Sequence, residues 1–110
     1  MQTKYQINKS QRTGIITLTM GLSFCGKEAL EIRKVLENLL KEGNRFVYIN
    51  AENVENTDLT GINVLAGMLK KFRDNKGELF LTCRNKSSMS EWLHLTKFGK
   101  LFQSINDNLI

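Results

Sequence analysis

A short apolar run, a polar turn and an amphipathic helical pattern follow one another in the middle of the chain, and this order constrains the fold most. The apolar run covers residues 46–49, the turn is Asp58-Leu59-Thr60-Gly61, and apolar residues then recur at helical spacing as far as Phe72. A short apolar run bounded by polar residues is typical of a central strand that is buried on both faces. Because a helix start has unpaired N–H groups and a partial positive charge, it favours an acidic group or an anion. The turn is therefore the first candidate for a functional site.

The same alternation of apolar runs and helical patterns extends along the chain. It predicts strands over residues 5–8 and 13–21 joined as an antiparallel hairpin, then a helix over 27–41, a strand over 46–49, a helix over 60–75, a strand over 78–83, a helix over 88–97 and a closing strand over 101–105. Ser88 and Glu91 have the spacing of a capping box at the start of the third helix. Alternating strands and helices indicate an α/β fold with a mixed, mostly parallel sheet of about five strands and three to four helices.

Length and cysteine content narrow the class of protein. A chain of 110 residues has the size of one domain, so we expect residues 1–110 to form a single domain. Cys25 and Cys83 fit neither a zinc spacing nor a disulfide framework, which favours a reducing, cytoplasmic setting. No apolar run is long enough to span a membrane, and no secretory leader is recognisable at Met1. We therefore expect a soluble protein without direct membrane insertion.

The positive charge of the chain raises the alternative of a nucleic-acid-binding domain. The formal net charge is +5, but the basic residues are scattered along the sequence. One group, formed by Lys70, Lys71, Arg73 and Lys76, closes the second helix, where cations suit the helix dipole. Scattered charge is more typical of a solvated surface than of a nucleic-acid interface, so nucleic acid is the less favoured partner.

Signatures of catalysis are absent from the sequence. His94 is the single histidine and has no nominated partners for a catalytic relay, and there is no phosphate-binding loop, dinucleotide fingerprint or metal-spaced pair. Cys83 belongs to a predicted buried strand and is interpreted as a small hydrophobe, whereas Cys25 precedes a helix without a second thiol or a base. We therefore expect no enzymatic activity, no cofactor and no metal site.

The order of elements, together with the turn, resembles the STAS domain, the small fold of bacterial anti-sigma factor antagonists and of the cytoplasmic tails of sulfate transporters. The strand over residues 47–54 leads to Asp58-Leu59-Thr60-Gly61, which is similar to the Asp-Ser-Ser-Gly-like turn of that family. Residues 96–102 are similar to its closing segment, and the stretch over residues 18–23 corresponds to a loop that often reads Gly-Glu-Leu-Asp. The resemblance covers about residues 12 to 105.

In the antagonist branch, the resemblance implies partner switching, in which the domain binds an anti-sigma factor that is also a serine kinase and is released when the turn serine is phosphorylated. Here Leu59 occupies the phosphoacceptor position and cannot accept a phosphate, and Ser23 stands where many members have an aspartate. Thr60 is the adjacent hydroxyl and the best substitute phosphosite. Its alternative role is N-capping or first-turn packing, because Thr57, Asp58 or Thr60 can each supply an N-cap oxygen.

These observations lead to one preferred function and one alternative within the same fold. The first is a non-catalytic regulatory module that docks a protein partner, an anti-sigma factor/serine kinase, in a state that is always competent to bind. The second is the STAS subunit of a phospholipid-transport ABC system, which rests on the ATPase subunit and needs no phosphorylation. The predicted partner-binding residues are Ser23, Thr57, Asp58, Leu59, Thr60 and Asn63.

Overall fold

The protein is described by a computed structural model that covers residues 5–10, 12 and 14–102. Along the chain its elements are β1 (Tyr5–Lys9), β2 (Ile16–Met20), β3 (Ser23–Phe24), α1 (Gly26–Lys41), β4 (Phe46–Ala51), β5 (Asn56–Thr57), α2 (Leu59–Asp74), β6 (Glu78–Cys83), α3 (Ser88–Thr96) and a short 3₁₀ helix (Phe98–Leu101). The predicted hairpin and the three predicted helices are confirmed, with boundaries that differ by a few residues.

The main sheet has four strands in the order β1-β2-β4-β6. β1 pairs antiparallel with β2, with Ile7 opposite Leu18. β2, β4 and β6 are parallel, and Ile16, Val47 and Leu79 occupy one register position across them. Parallel neighbours need crossover connections, which α1 and α2 supply. The sheet is therefore mixed and mostly parallel, as the sequence predicted.

The core lies between one face of this sheet and the helices. Alternate residues of β2 and β4 are buried, and the apolar stripes of α1 and α2 face them. The prediction that β4 is buried on both faces is wrong. Phe46 is 47% exposed and Tyr48 is half-buried, because the helices cover only the face that carries Val47, Ile49 and Ala51.

A second, two-stranded sheet was not predicted from the sequence. β3 pairs in parallel with β5, with Ser23 opposite Asn56 and Phe24 opposite Thr57. The backbone N–H groups of Glu55 and Asn56 also donate to the carbonyl oxygen of Leu22, at 2.8 and 3.2 Å. These bonds join the segment before α1 to the segment before α2, and so they bring the starts of both helices to one end of the molecule.

The last described part of the chain differs from two predictions. The N-cap of α3 is Ser87 rather than Ser88, since the Ser87 hydroxyl accepts a hydrogen bond from the backbone N–H of Ser90 at 3.1 Å. Leu101 ends the 3₁₀ helix and therefore does not begin the predicted closing strand. Residues 103–105 of that predicted strand lie outside the described residues.

Candidate functional site

The Asp58 carboxylate joins the starts of the two longest helices. One carboxylate oxygen accepts from the backbone N–H of Gly61 at 2.9 Å, which makes Asp58 the N-cap of α2. The other oxygen accepts from the backbone N–H of Gly26, the first residue of α1, at 3.2 Å. Each bond satisfies a backbone donor that a helix start leaves unpaired, and the negative charge lies at the positive ends of two helix dipoles. Of the three N-cap candidates considered from sequence, the structure selects Asp58.

Gly61 is required by close packing rather than by backbone conformation. A Cβ atom at this position would lie 2.5 Å from the carbonyl oxygen of Phe24 and 2.7 Å from the Thr57 hydroxyl oxygen. Those two atoms are themselves bonded, since the Thr57 hydroxyl donates to the Phe24 carbonyl at 2.8 Å. Any side chain at position 61 would therefore push α2 away from the small sheet.

Thr57 supports the turn from the interior of the protein. Its side chain is only 8% exposed and its hydroxyl is used within the fold. Ser88 adds a long hydrogen bond from its hydroxyl to the Thr57 carbonyl, at 3.3 Å. Thr57 therefore stabilises the turn from inside, and little of its surface is accessible to another molecule.

Ser23 and the turn lie side by side, as the sequence suggested. Ser23 is half-buried in β3 next to Asn56, and its hydroxyl donates to the Glu28 carboxylate at 3.3 Å. The next turn positions, Leu59 and Thr60, are exposed at the start of α2, and Asn63 is exposed one turn later. The structure therefore brings Ser23, Asp58, Leu59, Thr60 and Asn63 to the same end of the fold.

Two exposed leucines near this end were missed by the sequence analysis. Leu22 precedes Ser23 and is 50% exposed, and Leu30 on α1 is 42% exposed, which is similar to the 46% exposure of Leu59. The exposure of Leu30 could have been predicted from the sequence, since Leu30 falls outside the apolar stripe of α1. Apolar side chains that are exposed near one another are more typical of contact surfaces than of a solvated surface.

A groove of about 400 Å³ runs between α1 and α2 and begins at this site. Its lining residues on α2 include Thr60, Asn63, Val64, Gly67 and Met68, and on α1 they are Leu30, Arg33 and Glu37. The groove ends where the Lys71 ammonium meets the Glu37 carboxylate at 3.3 Å. The turn is thus continuous with a concave surface that the sequence did not reveal.

The histidine and the second cysteine considered from the sequence lie away from the turn, in α3 and at the end of β6. In residues 5–10, 12 and 14–102, no three histidine, cysteine, aspartate or glutamate side chains are grouped so as to hold a metal ion. His94 is exposed on α3. Burial raises the pKa of the Cys83 thiol, which disfavours the reactive thiolate.

The basic residues at the end of α2 are largely neutralised. Lys70 pairs with Asp74 at 2.9 Å, Lys71 pairs with Glu37, and Arg73 contacts the Glu78 carboxylate at 2.6 and 3.1 Å. This reduces the positive field that a nucleic-acid backbone would require. Among the helices that the structure describes, none is long and apolar enough to cross a membrane.

Comparison with known proteins decides the family. The family model for the STAS domain matches residues 6–109, which is nearly the whole chain. The chain belongs to the STAS domain family. The matched residues include the turn, in which Leu59 follows the capping aspartate Asp58.

Individual relatives of this STAS domain are described as antagonists of anti-sigma factors. An anti-sigma-B factor antagonist from Staphylococcus aureus is 37% identical over 51 residues, which are 46% of this chain and 47% of that protein. The matched region thus spans about half the length of the curated relative.

Two solved structures show the same fold. A putative anti-sigma factor antagonist from Thermotoga maritima has a TM-score of 0.80 at 17% identity, covering 96% of this chain and 91% of that one. The Bacillus cell fate determinant SpoIIAA in its phosphorylated form has a TM-score of 0.70 at 12% identity, covering 94% and 93%. At these identities the likeness is one of fold.

Proposed function

We propose that this STAS domain is a non-catalytic regulatory module that binds an anti-sigma factor through the end of the fold where α1 and α2 begin. The contact surface consists of Ser23, Asp58, Leu59, Thr60 and Asn63, with Thr57 holding it from inside. The observation that carries the proposal is the double cap by Asp58, which fixes the turn while Leu59 stays 46% exposed. A preordered turn loses little conformational entropy on binding, so an exposed leucine at its centre can contribute strongly.

The family names of the relatives support this choice of partner. The Staphylococcus aureus relative is an anti-sigma-B factor antagonist, and the Thermotoga maritima structure is a putative antagonist of the same general kind. The cytoplasm is the proposed setting, because sigma factors and their regulators act on transcription there. Transcription control by partner binding is the proposed biological role.

The module is proposed to stay competent to bind its partner, because phosphorylation at the family's usual position, here Leu59, cannot switch it off. Leu59 lacks a hydroxyl, so no kinase can add a phosphate there. In a partner-switching system this would remove release by phosphorylation at that position and leave binding governed by concentration and affinity.

Thr60 is the proposed site of any replacement switch. It is the second residue of α2, it is exposed, and its hydroxyl makes no hydrogen bond to the described residues. A phosphate there would add about −1.5 to −2 charge next to Leu59 and would disrupt a surface fitted around the apolar Leu59 side chain and a neutral Thr60 hydroxyl. Phosphopeptide mass spectrometry after incubation with the anti-sigma factor kinase and ATP checks this proposal, and modification only at other residues would exclude it.

Binding calorimetry with Leu59→Asp tests the proposed surface. The charge would be placed in the interface and outside the core, so we expect affinity for the purified anti-sigma factor to fall at least tenfold with little change in stability. The matched control is Leu95→Asp, which makes the same chemical change at a leucine on α3 that is 72% exposed. Equal affinity of Leu59→Asp and the wild-type chain would place the interface elsewhere.

A further inference from the structure

Gly67 is a glycine in the middle of a helix for which the fold itself gives no reason. It lies within α2, and no atom lies within 4 Å of the position that a Cβ would take there. Its backbone has no positive φ that would favour glycine. Glycine weakens a helix interior more than any other residue except proline, because it loses the most conformational freedom on folding. The contrast with Gly61, where a Cβ has no room, indicates a role for Gly67 outside the domain's own packing.

The position of Gly67 suggests what that role is. It lines the groove between α1 and α2, about two helical turns from Thr60. Val64 and Met68 flank it and are already buried against the core, whereas Leu30 on the opposite wall is 42% exposed. The absence of a side chain at position 67 leaves this stretch of the α2 wall open and allows another backbone to approach α2 closely.

The length of the groove matches about three turns of a helix. Its α2 wall extends from Thr60 to Lys71, and the eleven residue-to-residue steps correspond to about 16 Å or three helical turns. The bond between Gly26 and Asp58 lies at one end of the α1–α2 pair and the Glu37–Lys71 ion pair lies towards the other, so the two helices run side by side in the same direction. Two parallel helices, one of which has a glycine on the side that lines the groove, form a seat in which a third helix can pack.

The charges of the groove restrict the chemistry of that helix. Lys71 is paired with Glu37, but Arg33 on the α1 wall forms no ion pair within the described part of the chain. A guanidinium that lines a groove without an ion-pair partner is suited to a carboxylate on the bound molecule.

We infer that the groove is a second docking site of this STAS domain and that it seats an amphipathic helix of the anti-sigma factor, with a close backbone approach at Gly67 and an acidic side chain at Arg33. This inference rests on the proposed function and extends its contact surface from the turn along α2. The anti-sigma factor would then be held at two places, by its contact with Leu59 and by one of its helices.

Gly67→Ala tests the close approach with a signature that unfolding cannot imitate. The methyl group meets nothing inside the domain, so we expect the melting temperature to rise by about 2–8 °C. The same methyl group projects into the groove, so we expect the affinity for purified anti-sigma factor to fall about fivefold or more. A stabilised variant with unchanged affinity would overturn the inference.

Charge reversal tests the acidic contact. Arg33→Glu is expected to weaken binding about tenfold, and the loss should shrink as salt is raised. Lys34→Glu is the matched control, because it makes the same charge change at an exposed neighbour on α1 that does not line the groove. Equal losses for the two variants would show general charge attraction and overturn the assigned contact.

The two proposals can fail separately in this set of variants. If Leu59→Asp weakens binding and neither groove variant does, the turn binds the anti-sigma factor and the groove inference is wrong. If wild-type protein shows no binding, the proposed function and the inference both fail. If the chain alone sediments as a dimer that Gly67→Ala dissociates, the groove is an interface between copies of this chain, and the inference is likewise overturned.

Discussion

Removal of the Asp58 carboxylate is expected to destabilise the domain at two helix starts at once. In Asp58→Ala, α2 loses the N-cap bond to Gly61 and α1 loses the bond to Gly26. Loss of a helix N-cap costs about 0.5–2 kcal/mol, and the second bond contributes about 0.5–1.5 kcal/mol. Since both bonds fall in one half-buried site, we expect the free energy of unfolding to fall by roughly 1.5–3 kcal/mol.

Urea denaturation followed by circular dichroism measures this loss, with a lower midpoint and an unchanged slope. Asp58→Asn should lose less than Asp58→Ala, because its amide oxygen can still accept one of the two bonds. Asp74→Ala is the control, since its pair with Lys70 is exposed and contributes at most about 0.5 kcal/mol. A loss below about 0.5 kcal/mol for Asp58→Ala would refute the double cap.

Two further predictions concern the surroundings of the turn. Gly61→Ala should destabilise by about 1–3 kcal/mol in the same assay, because the new Cβ would overlap the Phe24 carbonyl; a stability equal to wild type would contradict the packing described for Gly61. In a Cys25→Ser background, Cys83 should react with iodoacetamide at pH 7 more slowly than free glutathione does. The reason is that burial raises the pKa of the Cys83 thiol and partly shields its sulfur atom. Reaction at the same rate as glutathione would contradict the raised pKa.

The helices and most strands were predictable from local patterns, and the failures have local causes as well. The burial of β4 on both faces was predicted wrongly because the residues on its open face include the aromatics Phe46 and Tyr48. With aromatic residues on its open face and apolar residues on its buried face, the strand lacks the alternation of apolar and polar residues that normally indicates a half-exposed strand. The cap of α3 was misplaced by one residue because the capping-box spacing of Ser88 and Glu91 favoured Ser88, whereas the hydrogen bond from the Ser90 N–H identifies Ser87 as the cap.

The candidate site was predictable in outline from the turn sequence, but its architecture depends on contacts between distant residues. β3 and β5 have two residues each, too few to show a periodic pattern, and they pair across more than thirty positions. The second bond of Asp58 reaches Gly26 across 32 positions. The groove exists only because α1 and α2 lie side by side, so the sequence around Gly67 does not mark it as a contact residue, and the position of Leu30 outside the apolar stripe of α1 does not show that it faces α2.

Nuclear magnetic resonance mapping of the bound surface tests the central claim most directly. Isotope-labelled wild-type chain is titrated with unlabelled anti-sigma factor, and the backbone amide signals are followed residue by residue. The account predicts that the largest changes occur at Ser23, Leu59, Thr60 and Asn63, with little change at Tyr48 and Phe80 on the open face of the sheet. Changes concentrated on that open face or on α3, with the turn unaffected, would contradict it.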